Sequence, residues 1–408
     1  MYILGINISH HSSSCLLKDG EVVYFIENDR LTRKKLYGYQ EFYNSIGDED
    51  ISTPYYPAIK KLLEHTNELD YIIFTSYGQE NLDLKIINCI SKKLEEFGVT
   101  YKTKIFYHEN HHLYHAASGF YGSGFEDAVA VVLDGGGSYE KDFYEQSIRE
   151  KYVHPFRETE SIYKCSYDNG FTPLFKHYSL LDSDHENEYD EIYFVNPNKN
   201  YKEIFTHSHS CGDYFNAFCY FMNTGDDSSG KIMGLSSYGH SKQINPPPSR
   251  EEKEEYYLEK TKLVNDEWFY EYNGEWVTAP DISQKLLSVM EILNIEPRIN
   301  PETLDPESYT FGQYSALAKK LQIQTEKHTI RLIQKALDLS GSNNVILSGG
   351  YFLNCVNNYK YLKHFPNVNF FIDPISNDAG TALGAAKWFH HGITGDKTIR
   401  PIENLYLG

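Results

Sequence analysis

Apolar positions crowd the start of the chain. Tyr2 to Ile8 is almost continuously apolar and predicts a buried strand. Ser13 to Leu17 and Val22 to Ile26 predict two more, joined by the hairpin signal Lys18-Asp19-Gly20. The period then changes. Pro57 to Thr66 and Asp83 to Phe97 carry apolar residues at helical spacing, with strands predicted at Asp70 to Ser76 and Lys104 to Tyr107. Asn110 to Tyr121 predicts a helix, and Asp127 to Leu133 a buried strand. Three strands followed by alternating helices and strands predict an α/β architecture.

The pattern loosens between Ser138 and Asn200, which is polar, aromatic and acidic, above all at 181–193. This stretch reads as an insertion with local strands such as Phe143 to Arg149. Ser208 to Met222 is helical in period, Gly230 to Gly239 (GKIMGLSSYG) reads as a loop, and Gln243 to Glu254 is a proline-rich linker. Tyr256 to Glu307 is a small mixed segment. Ser308 to Ser340 predicts a long helix and Val345 to Leu347 a buried strand. Ser348-Gly349-Gly350 and a helix over Tyr351 to Asn358 follow. Val368 to Ile372 is a further strand, and Thr381 to Phe389 a helix of small residues. The expected organisation is two α/β lobes, 1–205 with a polar insertion around 138–200, and 206–408.

Composition adds bounds. At 408 residues the chain exceeds one typical domain. Its 57 acidic and 38 basic residues give a net charge of −19, which argues against non-specific binding to nucleic acid or anionic membrane. Six cysteines without a CxxC pair read as free thiols in a reducing cytoplasm. The first residues lack the basic region of a secretory signal, and no apolar run approaches a membrane span.

Candidate chemistry concentrates between His108 and Ser138. His111 and His115 are four apart, so on a helix both imidazoles share one face and two ligand nitrogens sit one turn apart. Asp134 ends the following strand. Gly135, Gly136 and Gly137 then leave backbone N–H groups unshielded, which suits an anion. Taken singly, a histidine-rich helix start is often a solvated face, and Asp-Gly is often a turn. Gly349-Gly350 repeats the strand–glycine–helix arrangement of a phosphate cradle. In so acidic a chain, the cluster Arg30, Arg33, Lys34 and Lys35 (RLTRKK) is a candidate for an anionic substrate.

ILGIN with HHSSS, RLTRKK, HHLYHAAS, VVLDGGG, GKIMGLSSYG, LSGGYFLNCVNN and NDAGTALGAA together resemble the O-carbamoyltransferases of nodulation-factor and antibiotic biosynthesis. The resemblance runs through nearly the whole chain. It extends more weakly to the tRNA threonylcarbamoyl transferase and the hydrogenase-maturation carbamoyltransferase. It implies a duplicated actin/Hsp70-like (ASKHA) two-lobe fold with an interlobe nucleotide and metal site. It implies a divalent metal on His111, His115, Asp134 and, from the opposite lobe, Asp378. Fe²⁺ is expected, with Mn²⁺ and Zn²⁺ as alternatives on ligand chemistry. Gly349, Gly350 and Asn354 would face the adenosine. Lys231 and Gly135 to Gly137 would lie near the phosphate, and His11 at the acceptor. Ser12 stands where the family's HDSA motif carries an acid, a departure at the acceptor site.

The implied activity is transfer of a carbamoyl group to a small-molecule hydroxyl, on a sugar or natural product. The donor is carbamoyl-adenylate, formed from ATP and carbamoyl phosphate. Full-length relatives continue past the sequence ENLYLG into a domain that makes this adenylate. The expectation is that it is absent here and that a separate protein or domain acts as partner. A hydroxymethylated pyrimidine nucleotide or DNA base is an alternative acceptor, and a non-catalytic nucleotide-binding subunit an alternative role. A sugar kinase of the same fold would not need the histidine pair. The sequence leaves a homo-oligomer open.

Overall fold

The computed structural model describes residues 1–35, 37–38, 56–77, 80–107, 110–140, 156–180, 194–195, 199–206, 210–221, 228–238, 261–264, 267–272, 275–278 and 309–404. Strands β1 (Tyr2–Asn7), β2 (Ser13–Lys18) and β3 (Glu21–Glu27) form the predicted antiparallel opening. Asp19 and Gly20 turn its first hairpin with φ of 51° and 84°, the left-handed pair that matches strand twist. After α1 (Asn28–Thr32) and α2 (Tyr56–Leu63), β4 (Glu68–Thr75) pairs parallel to β1. Helix α3 (Glu80–Glu96) crosses over to β5 (Thr100–Phe106), and the first sheet has the order β3-β2-β1-β4-β5.

Helix α4 (His111–Ser123) leads to β6 (Asp127–Leu133), the first strand of a second sheet. Further strands are β7 (Tyr139–Glu140), β8 (Phe156–Ser166), β9 (Gly170–Leu180), β10 (Phe194–Val195) and β11 (Lys202–Thr206). Helices α5 (Cys211–Phe221) and α6 (Ser229–Leu235) follow. A small separate sheet comprises β12 (Thr261–Val264), β13 (Glu267–Tyr272) and β14 (Glu275–Thr278). Long helix α7 (Tyr309–Ser340), β15 (Asn344–Ser348), α8 (Cys355–His364), β16 (Asn369–Ile372) and α9 (Gly380–Thr394) complete the order. The second sheet reads β10-β11-β9-β8-β6-β15-β16, with β7 beside β8.

Strand alternation explains the layers. In the first sheet Leu4, Ile6, Ile72 and Phe74 pack outward on Ile59, Leu62, Ile86 and Ile90 of α2 and α3. Ile3, Leu17 and Ile73 face inward onto Ala382, Ala385 and Ala386 of α9. In the second sheet Val129, Val131 and Leu133 meet Leu332, Ile333 and Ala336 of α7 on the outside. Ala128, Ala130 and Val132 meet Ala116 and Phe120 of α4 on the inside. The centre is therefore α4 against α9. Eleven of the thirteen residues of α4 are buried, so its histidines must find partners inside the protein. Small residues let the two backbones meet: a Cβ on Gly384 would stand 1.9 Å from the Tyr114 carbonyl oxygen.

Three expectations are corrected. The lobe boundary at residue 205 cuts through the second sheet, which takes strands from both sides of it; the sheets divide between Phe106 and Asp127. The stretch 138–200 is not merely an insertion, because β8 and β9 are eleven-residue strands of the second sheet, β8 beside β6 and β9 beside β8. Its polar residues satisfy one another in the interior, which hid the strand period. The GKIMGLSSYG stretch is helical through Leu235 rather than a loop, because Ile232 and Leu235, three apart, bury one face in the α7 core. His108, Phe143 to Arg149, the acidic run at 181–193 and Gln243 to Glu254 lie outside the described residues. No disulfide joins the six cysteines, and no described helix is long and apolar enough to cross a membrane.

Candidate metal centre and cavity

Four strands end at one place. β1 and β4 of the first sheet lead into His10-His11 and Ser76-Tyr77. Parallel neighbours β6 and β15 of the second lead into Asp134 and Gly349-Gly350. The carboxyl ends of parallel strands are where α/β folds bind ligands, because loops there are free of the sheet. α4 passes between the sheets with His111 and His115 on one face. Asp378, 263 residues beyond His115 by numbering, comes from the turn before α9.

These four side chains meet. His111 Nε2 lies 3.1 Å from His115 Nε2, 3.3 Å from Asp134 Oδ2 and 3.5 Å from Asp378 Oδ1. His115 Nε2 is 3.6 Å from the same Asp378 oxygen. All four residues are buried, and one ligand atom of each falls within 4.8 Å of every other. Metal–ligand bonds of about 2.1 Å in tetrahedral geometry place ligand atoms roughly 3.4 Å apart, so the donor set fits a divalent ion such as Zn²⁺, Fe²⁺ or Mn²⁺. Surrounding groups orient it. His111 Nδ1 is 3.3 Å from the Ser76 carbonyl oxygen, which only accepts, so Nε2 is the nitrogen left to bind. Asp134 Oδ1 accepts from the Gly350 N–H at 3.0 Å, leaving Oδ2 for the centre.

Electrostatics agree. Burial disfavours an imidazolium at His111, but Asp378 and Asp134 outweigh it and raise its pKa to about 10. Burial likewise opposes charge on the two carboxylates, yet the facing histidines hold both below the usual range. The cluster favours positive charge, which a divalent ion could supply in place of a proton. His112 turns away, as expected of a non-ligand. Its Nδ1 is 2.9 Å from Ser161 Oγ on β8, and burial lowers its pKa to about 4.

Beside the centre opens a cavity of about 500 Å³, lined by residues of both sheets. Of the residues singled out in the sequence, His11, Asp134, Gly135, Gly136, Gly350 and Asp378 line its wall. Other expected residues do not. Gly137 packs on His112, and its N–H donates to the Glu158 carbonyl at 2.6 Å. Gly349, with φ of 102°, packs against the backbone of Leu133. Asn354 is fully buried: its Oδ1 accepts from Gln322 Nε2 at 2.7 Å and caps α8 at Asn357 N. Lys231 is exposed on α6, whereas Ser229, Gly230 and Met233 of that helix line the wall. Arg30, Arg33 and Lys34 are exposed and off the wall, and Arg30 pairs with Glu27 and Asp29; Lys35 alone of RLTRKK reaches the cavity.

Among the wall residues that had no role in the sequence reading, Arg157 and His10 carry the most chemistry. Arg157 of β8 donates to the Gly136 carbonyl at 2.8 Å and lies 5.5 Å over the Tyr77 ring. It lines the cavity, where its fixed positive charge can meet an anion. Nothing local marked Arg157, because its strand was read as an insertion. His10 has Nδ1 3.6 Å from Asp378 Oδ2; adjacency to His11 was its only signal.

Sheet topology, central helix pair and inter-sheet centre define a two-lobe α/β protein of the actin/Hsp70-like class. The solved structure of full-length HypF in its phosphate- and nucleotide-bound form has this fold. The match has a TM-score of 0.51 at 13% identity and covers 97% of this chain and 56% of HypF. The chain belongs to the carbamoyltransferase N-terminus family, whose model matches residues 86–387. It is 28% identical over 440 residues to an uncharacterized protein, sll1178, of Synechocystis, covering 100% of this chain and 60% of that one. It is 23% identical over 407 residues to the nodulation protein NolNO of Sinorhizobium fredii, covering 98% of this chain and 49% of that one. The chain thus spans about half to three-fifths of the length of these relatives.

Proposed function

We propose that this chain is the transfer unit of an O-carbamoyltransferase, moving a carbamoyl group from carbamoyl-adenylate to a hydroxyl of a small molecule. The observation that carries the reading is the junction of an N₂O₂ donor set with an open cavity, inside a chain of this family. An Fe²⁺ ion held by His111, His115, Asp134 and Asp378 would supply Lewis-acid polarisation of the carbamoyl carbonyl. The N–H groups of Gly135 and Gly136, with Arg157, would hold the adenylate phosphate and stabilise it as it leaves. The His10-His11 turn, beside Asp378 in the same cavity, would receive the acceptor. The acceptor oxygen forms a bond to the carbamoyl carbon, and the carbon–oxygen bond to phosphate breaks. The electron pair leaves with AMP, and the hydroxyl proton departs through the His10-His11 turn to solvent. Holding both substrates in one cavity provides much of the rate.

The donor would come from a separate adenylate-forming protein or domain. The test is incubation with ATP, carbamoyl phosphate and candidate alcohols, with and without such a domain. A mass gain of one carbamoyl group on the alcohol, requiring the added domain, is expected. Failure of every alcohol class with preformed donor would refute the reading, and product without the domain would refute the division of labour.

A further inference from the structure

Asp378 spends only one carboxylate oxygen on the histidine helix. Oδ1 lies 3.5 Å from His111 Nε2 and 3.6 Å from His115 Nε2. Oδ2 points the other way, 3.6 Å from His10 Nδ1. His10 and His11 sit together in the turn after β1, their ring centroids 4.3 Å apart and tilted by 54°. One ring nitrogen of each and one oxygen of Asp378 all lie within 4.8 Å of one another. This is a second donor set sharing a carboxylate with the first. Its surroundings differ. The first set is enclosed, whereas the side chain of His10 is 38% exposed, and all three residues of the second set line the cavity.

We propose that His10, His11 and Asp378 bind a second divalent cation, bridged to the first through the Asp378 carboxylate. The proposal rests on the metal reading of the first centre but not on carbamoyl transfer. A bridging carboxylate holds two ions about 3.5–4 Å apart, the spacing of two-metal sites that clamp phosphoryl groups. Charge decides when the second ion binds. One divalent ion already balances Asp134 and Asp378, so a second leaves the pair with excess positive charge. A phosphate group against Gly135, Gly136 and Gly350 removes that excess, and its oxygens fill coordination positions that three protein ligands leave open. The second ion therefore enters together with a phosphate-bearing ligand. Two imidazoles in the donor set favour Mn²⁺, Fe²⁺ or Zn²⁺ over Mg²⁺. Without a second ion, the same turn would only hydrogen-bond the substrate, and the two arrangements differ in metal count.

The test titrates the metal-free full chain with Mn²⁺, with and without saturating AMP, by calorimetry and electron paramagnetic resonance. One ion per chain is expected without AMP and two with it, the second producing a spin-coupled spectrum. His10→Phe keeps a ring against Tyr77, whose centroid is 5.7 Å from that of His10, but offers no ligand nitrogen. It should weaken the second ion by at least about tenfold and abolish the coupling while the first ion stays. His10→Ala serves as the second variant, with thermal melting to confirm folding. A single ion in the wild type with AMP would overturn the proposal, as would two ions persisting in both variants. None of these readouts needs turnover, so a chain that binds two coupled ions but carbamoylates nothing would sink the proposed function and leave this site standing.

Discussion

Gly384 is the sharpest place to perturb the centre without touching a ligand. It lies on α9 where that helix crosses α4, opposite Tyr114, between His111 and His115 in sequence. Gly384→Ala would put a Cβ 1.9 Å from the Tyr114 carbonyl oxygen and 2.8 Å from Ser118 N. Both contacts are backbone, so no side-chain rotation relieves them. The helices must part by roughly 1.5 Å to reach ordinary contact. Metal–ligand distances tolerate only about 0.2 Å. Since α9 follows Asp378 directly and α4 carries the histidines, the parting separates the ligands. We expect overpacking to cost about 1–3 kcal/mol and Mn²⁺ affinity to fall by at least about tenfold. Gly392→Ala is the control: it lies on the same helix, and a Cβ there meets nothing within 4 Å. It should be neutral or stabilise by up to about 1 kcal/mol through helix propensity. Calorimetric Mn²⁺ titration and thermal melting of both variants decide. Equal affinity and equal melting temperature in the two would refute the claim that the helix crossing sets the ligand spacing.

Other expectations follow from single contacts. Arg157→Met should weaken AMP binding by about tenfold or more, with a smaller salt dependence and little change in melting temperature, because it removes a cation from the cavity wall. AMP affinity unchanged at low and high salt would count against it. Asn354→Ala removes a helix cap and takes the Asn354 donor from the buried Gln322 Oε1, costing about 2–4 kcal/mol in denaturant unfolding. Nucleotide affinity should hold where the variant is folded, and its loss at full stability would show that Asn354 does face the adenosine. Lys387 is only 2% exposed, and burial lowers its pKa to about 8, so the folded state favours the neutral amine. The unfolded chain then binds more protons between about pH 8 and 10.4, and stability rises with pH across that window, by roughly 3 kcal/mol in all. Lys387→Met should lack that rise, and parallel pH–stability curves for the two proteins would disprove it.

Much of the fold was legible because it is local. The continuous apolar runs of β1 and β6, buried on both faces, and the 3.6-residue period of α3 and α7 survive in the sequence. β8 and β9 were missed because Glu158, Glu160 and His177 are buried there among polar partners, such as Ser161 for Glu158 and His328 for Glu160. Polar side chains satisfied at long range look like surface residues when only the sequence is read. The α6 helix was missed for the opposite reason, since glycine and serine weaken local propensity while Ile232 and Leu235 secure it by packing.

By itself the sequence determined that His111 and His115 share a helix face, that Asp134 ends a buried strand and that glycines follow it. Those relations span a few residues and obey helix and strand geometry. Family motifs added Asp378. Only the tertiary structure decided that Asp378 reaches both histidines, that its second oxygen turns to His10, and that Arg157 and Lys35 stand at the cavity while Arg30, Arg33, Lys34, Lys231 and Asn354 do not. Those choices depend on how two sheets pack across the small residues of α4 and α9. Backbone-to-backbone contact of that kind joins positions hundreds of residues apart and leaves no period in the chain.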